Sequence, residues 1–465
     1  MSAETTIAPK RIALVHPAAP EDDPFARIGR SDIPPLGVLY LAAALEQAGH
    51  AVRVYDLNHH PGGAALVNEL QSLRPDVVGL GTLAASLKQT LALAGRLRND
   101  LSHDFTLLAG GPDATVQPAT YLQADVFDAV LIGEAEHTLP RLCDALPKIE
   151  PGDGVLIPGH TNARRPAQID PDQAPFPARH LLPLKAYRGG PAYKRQRTTT
   201  SIFTHRGCPY HCTFCEKGVH EGAIRYRSAP SIFAEIQQII HRHGIRDIRF
   251  IDDVLMVNRD VLEQFIDLVL KHNERFDWLC TGRVDLMDES LLRRMKQGGC
   301  YRIELGVESG SEQILSHVEK NFAPDDALAA VKKARRAGIE VIANFILGLP
   351  QEDETDMRKT VDFALRLEPD YAIYFLFTPF IGSPITKQHD LPWDAAAPGF
   401  RGPSPTYLVP TPRVQQLINQ AYSRFYFRPG YIWRRLKAIR SGWVVWDLAR
   451  MALAFLGGRF KRRRG

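Results

Sequence analysis

The sequence is poor in the features that would place it in several common classes of protein. Residues 1–11 are polar and hold no apolar segment, so no secretory signal peptide is predicted. The net charge of +5 is small for 465 residues and gives no reason to expect a nucleic-acid partner. None of the glycine-containing loops described below reads G-x-G-x-x-G, so an NAD site has little support.

Cysteine is scarce, and its distribution is more informative than its number. Three of the six cysteines, Cys208, Cys212 and Cys215, lie within eight residues, which favours a reducing, cytoplasmic compartment over a disulfide framework. Thiolates this close together repel one another and need a soft cation, either zinc or an iron–sulfur cluster. A structural zinc site needs four ligands, whereas a cubane held by three thiolates leaves one iron open for a substrate. A zinc site would take its fourth ligand from His205, His211, Cys280 or Cys300.

The spacing C-x3-C-x2-C, with Phe214 before the last cysteine, resembles the signature of the radical S-adenosylmethionine (SAM) superfamily. The resemblance implies that Cys208, Cys212 and Cys215 ligate a [4Fe–4S] cluster and that Phe214, at the aromatic position of the motif, contacts SAM. In that family the open iron binds the amino and carboxylate groups of SAM. One electron, from an external donor of the flavodoxin or ferredoxin type, then cleaves the sulfonium to give a deoxyadenosyl radical.

Residues 10–150 alternate short apolar runs with helical patterns, which is typical of a doubly wound, Rossmann-like parallel sheet. The predicted strands are 12–16, 51–56, 77–82, 105–109 and 129–132. Such a sheet binds ligands at the carboxyl ends of its strands. The loops at those ends contain Pro35, Gly37, Thr82, Gly110, Gly111, Gly133 and Glu134. Glycine there lets the backbone approach a large ligand, although any single glycine could serve only a tight turn.

Taken together, these loops resemble the cobalamin-binding domain that precedes the catalytic domain in one large radical SAM class. The resemblance rests on P-P-L-G-x-x-x-L-A, G-G-P-x-A-T and G-E-A-E, a variant of the family's G-E-G-E. It implies that the loop residues named above contact cobalamin. The chain lacks the D-x-H-x-x-G motif that supplies an axial histidine elsewhere, and Asp113 stands where many relatives carry histidine. We therefore predict no histidine ligand to cobalt and leave the lower axial position open.

Residues 151–195 are rich in proline, glycine and arginine and predict a linker draped over both domains. Residues 196–385 repeat the strand and helix alternation. The predicted strands are 201–205, 248–254, 278–282, 302–307, 341–346 and 372–377. Six such units are too few for a closed eight-stranded barrel. They fit the partial (β/α)6 barrel of radical SAM enzymes, with functional groups at the strand ends.

Four side chains at these strand ends are candidates for binding SAM. Glu308 and Ser309 belong to a G-V-E-S-G sequence that resembles the family motif whose carboxylate contacts the SAM ribose. A carboxylate can accept hydrogen bonds from both hydroxyls of a diol. Arg283 is a weaker candidate for the SAM carboxylate, and Asp252 is a further candidate contact. Structural alternatives stay open, since Asp252 could act as a cap and Arg283 could pair with Asp285.

The two resemblances together imply a cobalamin-dependent radical SAM enzyme with a [4Fe–4S] cluster, SAM and cobalamin as cofactors. We predict methylation of an unactivated carbon of a small-molecule or lipid-like intermediate, after hydrogen abstraction by the deoxyadenosyl radical. A non-methylating rearrangement or oxidative cyclisation with the same cofactors is an alternative. A non-catalytic cobalamin- or SAM-binding sensor is another, although such a sensor would not need a reducible cluster with an open iron.

Residues 386–465 end the alternation and predict a mainly helical extension over the open side of the partial barrel. Within it, residues 434–464 combine tryptophans with basic flanks, and the apolar run is shorter than the ~20 residues that span a bilayer. Two interpretations are open. The segment could lie peripherally on an anionic membrane at the inner face, or it could pack on the barrel.

Overall fold

The computed structural model describes residues 8–18, 32–60, 62–220, 224–389 and 411–438. Within these ranges the chain forms two six-stranded sheets and a two-stranded hairpin. The first sheet forms an N-terminal domain and the second a partial barrel, and two helices follow at the C-terminus. The predicted fold class is therefore confirmed.

The N-terminal sheet has the strand order β2-β1-β3-β4-β5-β6. Its strands are β1 (Arg11–His16), β2 (Ala51–Asp56), β3 (Val77–Gly81), β4 (Thr106–Gly110), β5 (Ala129–Leu131) and β6 (Val155–Leu156). Helices α1 (Leu36–Gln47), α2 (Gly63–Leu73), α3 (Leu87–Asp100), α4 (Pro112–Val116), α5 (Pro118–Leu122) and α6 (Thr138–Ala145) connect the first five strands or follow β5. Those five strands are parallel and largely buried, which explains their apolar runs.

The last strand of this sheet comes from the predicted linker. β6 pairs with β5 in the antiparallel sense, and both of its residues are buried. The sheet therefore continues past residue 150, where the sequence indicated only a connection. A two-residue strand has no alternation for a sequence pattern to reveal.

The second sheet has the order β14-β13-β12-β11-β10-β7, with every neighbouring pair parallel. Its strands are β7 (Thr200–Ile202), β10 (Asp247–Phe250), β11 (Asp277–Gly282), β12 (Cys300–Glu308), β13 (Glu340–Leu347) and β14 (Tyr371–Leu376). The hairpin consists of β8 (His205–Arg206) and β9 (Arg225–Tyr226). The helices are α7 (Ala229–His243), α8 (Arg259–Lys271), α9 (Glu289–Gln297), α10 (Glu312–His317), α11 (Pro324–Arg336), α12 (Glu354–Leu367) and α13 (Pro384–Gln388). The six-stranded partial barrel is thus present with open edges at β7 and β14.

Four barrel helices begin at side-chain caps, which fixes the strand-end loops before them. Ser228, Asn258, Asp288 and Asp353 each accept a hydrogen bond from the backbone N–H three residues later, at 2.8–3.3 Å. Such a cap satisfies one of the free N–H groups at a helix start. The loops that carry candidate site residues therefore end at defined points.

The linker enters the barrel from the amino ends of its strands. Tyr193 lies in an apolar cluster with Leu279, Ile342 and Ile373, on the sheet face opposite the helix-packed core. Its hydroxyl donates to Glu304 Oε1 at 3.1 Å. The linker therefore contacts both domains, since β6 near its start pairs in the first sheet and Tyr193 near its end packs on barrel residues.

The C-terminal helices α14 (Thr411–Tyr426) and α15 (Pro429–Ala438) lie beside β14, which has no strand partner on its outer side. The Tyr426 hydroxyl accepts from Ala372 N–H at 3.2 Å and donates to Ala372 C=O at 2.9 Å. Tyr422 makes the same pair of contacts with Tyr374, at 3.1 and 3.3 Å. Hydroxyl groups one helical turn apart therefore satisfy a strand edge that would otherwise be open.

The predicted terminal segment is only partly within the described ranges. Residues 390–410 and 439–465 lie outside them, so most of the segment 434–464 has no structural description. Among the helices that are described, none has the length and apolar content needed to cross a bilayer.

Candidate active site

The three predicted cluster ligands lie on one loop that follows β7. Residues 207–224, here called the cluster loop, connect β8 to β9, and all but 221–223 are described. Gly207 opens the loop with φ of +95°, a left-handed conformation that favours glycine. Cys212 is buried, while Cys208 and Cys215 are partly buried. The hairpin thus gathers all three thiols at the carboxyl end of the barrel strands.

The surroundings of the thiols disfavour their charged form unless a cation is bound. Burial, followed by the nearby Asp253 and the other two thiols, raises the pKa of Cys215 to about 12, and burial also raises the pKa of Cys208. Thiolates in this environment need a cation to neutralise them. Across the described ranges, no three His, Cys, Asp or Glu side chains converge on a point where one ion could bind. A cubane binds its thiolates through three different irons, so their separation does not count against it.

Arg283, the candidate for the SAM carboxylate, lies directly beside the cluster loop. Its Nη1 is 3.6 Å from Cys212 Sγ, and its guanidinium stacks 3.6 Å from the centre of the Tyr210 ring. Its Nε also donates to Asp285 Oδ1 at 2.9 Å. The pairing with Asp285 that sequence left open is therefore present. It holds the guanidinium at the loop without using all of its donors.

Glu308 is paired with a lysine that the sequence motifs did not indicate. Lys320 Nζ lies 2.8 Å from Glu308 Oε1 and donates to Gly306 C=O at 3.3 Å. The same ammonium is 5.6 Å from the centre of the Phe214 ring, and the Lys320 carbonyl accepts from Arg283 Nη2 at 3.0 Å. Lys320 therefore joins three predicted SAM contacts, Phe214, Arg283 and Glu308. A single lysine outside any motif gives no sequence signal for this role.

The side chains of Asp252 and Ser309 are both bound by other groups of the protein. The Asp252 carboxylate is buried and accepts from Thr204 N–H at 2.6 Å, Thr204 Oγ1 at 3.0 Å and His205 N–H at 3.0 Å. Ser309 is also fully buried, and its hydroxyl lies 3.0 Å from Thr360 Oγ1. These contacts fit the structural alternative and give the predicted SAM contacts of both residues no support, because neither side chain reaches solvent.

A second carboxylate at the strand ends was not singled out by its sequence. Glu352 follows β13 and accepts from Gly348 N–H at 2.6 Å and Leu349 N–H at 3.1 Å. Burial raises the pKa of Glu352 to about 8, although these two hydrogen bonds act in the opposite direction. The side chain thus holds the Gly348-Leu349-Pro350 turn, which sequence had left open as a simple turn.

The predicted cobalamin loops lie together at the carboxyl ends of the first sheet, and some of their glycines have a structural explanation. A Cβ on Gly111 would lie 2.9 Å from the Thr82 carbonyl oxygen, and one on Gly133 would lie 3.1 Å from Pro166. A Cβ on Gly110 would meet Leu131 at 3.4 Å. Close packing of the chain on itself therefore requires Gly111 and Gly133 whatever they bind.

The other predicted cobalamin contacts, Thr82, Pro35 and Gly37, differ in how the protein around them constrains them. Thr82 Oγ1 accepts from Ala114 N–H at 2.9 Å, so its hydroxyl joins the loops after β3 and β4. Pro35 immediately precedes α1. Gly37, in the first turn of that helix, is exposed and would have open space around a Cβ. Of the predicted cobalamin contacts, Gly37 is thus one that protein packing does not explain.

Glu134 lies in a group of charged side chains between the two domains, here called the inter-domain ion cluster. The group comprises Glu134, Glu136, Arg206, His220 and Arg225. Burial alone would raise the pKa of Glu134, but hydrogen bonds from His220 and Arg225 and the charge of Arg206 hold it far below its usual range. The carboxylate is thus a fixed negative charge at the cluster loop.

Two family models match the chain at the two sites just described. A model of the Radical SAM superfamily matches residues 202–364, and a model of the B12 binding domain matches residues 29–143. Together they cover more than half of the chain. The chain belongs to the cobalamin-dependent radical SAM enzymes. Its cofactors are a [4Fe–4S] cluster, SAM and cobalamin, and the three thiols of the cluster loop have the donor chemistry that the first of these needs.

The enzyme is 28% identical over 445 residues to an uncharacterized methyltransferase of Pyrococcus horikoshii, a match that covers 90% of this chain and 93% of the relative. It is 27% identical over 322 residues to the hopanoid C-3 methylase of Methylococcus capsulatus, covering 71% of this chain and 58% of that protein. Its fold is similar to that of the radical SAM methyltransferase TsrM of Kitasatospora setae, with a TM-score of 0.66, 18% identity and coverage of 81% of this chain and 75% of TsrM.

Proposed function

We propose that the enzyme transfers a methyl group to an unactivated carbon of a small-molecule or lipid-like substrate. The observation that carries the proposal is the contact between the base of the cluster loop and the loop after β5, where Arg206 of β8 lies 3.0 Å from Glu134. This contact supports a proposal in which the two cofactor sites are adjacent. The methyltransferase names of several relatives support the same reaction.

The residues of this chain would then bind and orient the cofactors and shield them from solvent. When bound, the reduced cluster supplies the electron that cleaves SAM, and cobalamin supplies the methyl group. Cys208, Cys212 and Cys215 would hold the cluster, while Phe214, Arg283, Glu308 and Lys320 surround the position proposed for SAM. Pro35, Gly37, Thr82, Gly110, Gly111 and Gly133 would face cobalamin. An external one-electron donor of the flavodoxin or ferredoxin type completes the proposal.

The test follows the methyl group. Anaerobically reconstituted enzyme holding about four irons per chain is incubated with cobalamin, a reductant, methyl-labelled SAM and a cell extract. We expect the label in a product as a methyl group, together with 5′-deoxyadenosine. Deoxyadenosine without any methylated product would overturn the methylation proposal in favour of a rearrangement or cyclisation. Absence of SAM cleavage would favour a sensor.

Two variants distinguish the loss of a cluster ligand from the general effect of replacing a cysteine. Cys208→Ala removes a proposed ligand and should abolish SAM cleavage. Cys143→Ala is the matched control, because Cys143 is buried on α6 as a small apolar group, away from the cluster loop. Equal activity of the two variants would contradict the ligand assignment.

We also propose that the C-terminal region touches an anionic membrane surface. The support is a group of exposed apolar side chains, Phe427 (55%), Ile432 (42%), Trp433 (61%) and Leu436 (55%), with Lys437 stacked 4.9 Å from the Trp433 ring. The full-length chain should sediment with anionic vesicles and less so at high salt. The double substitution Trp433→Ser and Leu436→Ser should weaken this binding, and equal binding to neutral vesicles would contradict the electrostatic part.

A further inference from the structure

The cluster loop is closed at its base by a hairpin with an unfavourable charge pair. β8 and β9 pair in register, with His205 opposite Tyr226 and Arg206 opposite Arg225. Two arginines directly opposite each other on antiparallel strands repel. The hairpin has only two residues on each strand, so few backbone hydrogen bonds oppose this repulsion. Its closure therefore depends on an anion from elsewhere.

That anion is a carboxylate of the cobalamin domain. Arg225 binds Glu134 with both terminal nitrogens, and its Nη1 lies 2.9 Å from Oε2. Arg206 Nη1 lies 3.0 Å from the same oxygen, and His220 Nδ1 lies 3.2 Å from Oε1. The Glu134 side chain is only 7% exposed and that of Arg206 only 11%, so solvent screens these charges little. One carboxylate thus contacts both ends of the cluster loop and a residue within it.

Further contacts fix the same loop to the first domain and the linker. Arg206 also pairs with Glu136 and lies 5.5 Å from the centre of the Tyr40 ring on α1. Arg165 of the linker donates to the Gly218 carbonyl of the cluster loop. Within the cluster loop, Gly218 also packs so near α4 that a Cβ there would lie 3.5 Å from Val116. The cluster loop is therefore held by the first domain and the linker as well as by the barrel that carries it.

We propose that Glu134 is a positioning residue that closes the cluster loop and sets its place relative to the cobalamin domain. Removing the carboxylate leaves Arg206 paired with Glu136 but takes the carboxylate from Arg225, so the repulsion between the two arginines loosens the hairpin and the thiols move away from the cobalamin-domain loops. Docking of the two domains thus favours the closed form of the cluster loop. This inference goes beyond the proposed methylation, since it concerns the distance between two cofactor sites for any reaction they share.

The first test uses the full-length chain before cluster reconstitution. Glu134→Gln keeps the shape of the side chain and removes its charge. Under reducing, anaerobic conditions, a thiol reagent should label Cys208 and Cys215 faster than in the wild type by about tenfold or more, the scale of a lost charge-assisted hydrogen bond. The buried Cys143, Cys280 and Cys300 serve as internal references and should not change.

The matched control is Glu354→Gln. Glu354 also binds two arginines, Arg358 and Arg413, but on the outer surface at the start of α12. Glu354→Gln should label like the wild type. If Glu134→Gln and Glu354→Gln both label like the wild type, or both label faster, the positioning role is overturned.

The second test measures placement in the loaded enzyme. The reduced cluster and cob(II)alamin each carry an unpaired electron, so their magnetic interaction in electron paramagnetic resonance reports the distance between them. Glu134→Gln should retain its iron and cobalamin content but show a weaker or broader interaction. An interaction identical to that of the wild type would overturn the proposal.

A third pair of variants covers the case in which Glu134→Gln does not fold. Arg225→Gln removes the contact with Glu134 and the repulsion from Arg206 together, so the hairpin should stay closed and the thiols should label near the wild-type rate. The double substitution Glu134→Gln with Arg225→Gln removes both the carboxylate and the repulsion, so it should fold and recover wild-type labelling and spectra. Faster labelling of Cys208 and Cys215 in either variant, with the protein folded, would show that repulsion between the two arginines is not what Glu134 offsets.

Discussion

Lys320 offers a sharp test of the SAM site, because one substitution removes the cation that contacts both Glu308 and Phe214. Lys320→Met keeps most of the length of the side chain and deletes its charge. In the wild type the ammonium and the Glu308 carboxylate are 2.8 Å apart and only 7% and 8% exposed. The substitution therefore leaves a buried carboxylate beside Gly306 without its counter-ion.

The magnitude follows from that burial. Removing one partner of a buried ion pair typically costs about 3–5 kcal/mol, since the remaining charge stays desolvated. If Glu308 binds the ribose hydroxyls of SAM, its displacement or protonation also removes charge-assisted hydrogen bonds of about 1.5–3 kcal/mol. The affinity for SAM should then fall by roughly 10- to 150-fold.

The assay is equilibrium binding of labelled SAM to anaerobically reconstituted enzyme, with thermal unfolding measured on the same samples. Lys359→Met is the control, because Lys359 pairs with Asp356 at 2.9 Å but is 55% exposed. That variant should change both the stability and the SAM affinity very little, because solvent screens an exposed ion pair. SAM affinity within threefold of the wild type in folded Lys320→Met would refute the assignment of Glu308 and Lys320 to the SAM site.

Three further predictions address the strand edge, a buried carboxyl group and the cobalamin loops. Tyr426→Phe removes the hydroxyl that binds Ala372 N–H and C=O, so hydrogen exchange of the Ala372 amide should accelerate by about 10- to 100-fold. The pKa of Glu352 is raised to about 8, so the folded state binds its proton more tightly than the unfolded state does. The stability from this group is complete below its unfolded pKa and is lost as pH rises through about 8, and Glu352→Gln should flatten the dependence of melting temperature on pH over that range. Gly37→Leu should fold normally and weaken cobalamin binding, and unchanged cobalamin binding would remove Gly37 from the site. Gly111→Ala should instead destabilise the domain, since its Cβ would lie 2.9 Å from a backbone oxygen.

The strands of both domains could be predicted because parallel strands buried on two faces are apolar along their length. The strand predicted at 51–56 occupies Ala51–Asp56, and that predicted at 278–282 occupies Asp277–Gly282. The two-residue strands β6, β8 and β9 were missed, because hydrophobic periodicity can be recognised only over several residues. The predicted strand at 201–205 is in fact divided, with β7 ending at Ile202 and β8 starting at His205.

The site was predictable only where a short motif carries it. Cys208, Cys212 and Cys215 stand in one local spacing, and the structure brings Phe214, Arg283 and Glu308 to the same place. Asp252 and Ser309 could not be judged from sequence, because their partners Thr204 and Thr360 lie far away along the chain. Lys320 was missed for the same reason.

The linker binds the first domain through several hydrogen bonds. Ala178 N–H donates to the Leu39 carbonyl at 3.0 Å, and Ile169 N–H donates to Glu134 Oε2 at 3.0 Å. The Tyr187 hydroxyl donates to Asp56 at 2.8 Å, in the first sheet. Each contact satisfies a polar group that would otherwise be buried alone, so releasing the linker is costly at several points at once. These contacts and that of Tyr193 with Glu304 hold the cobalamin domain against the barrel. The proposed closure of the cluster loop by Glu134 requires the two domains to be held together in this way.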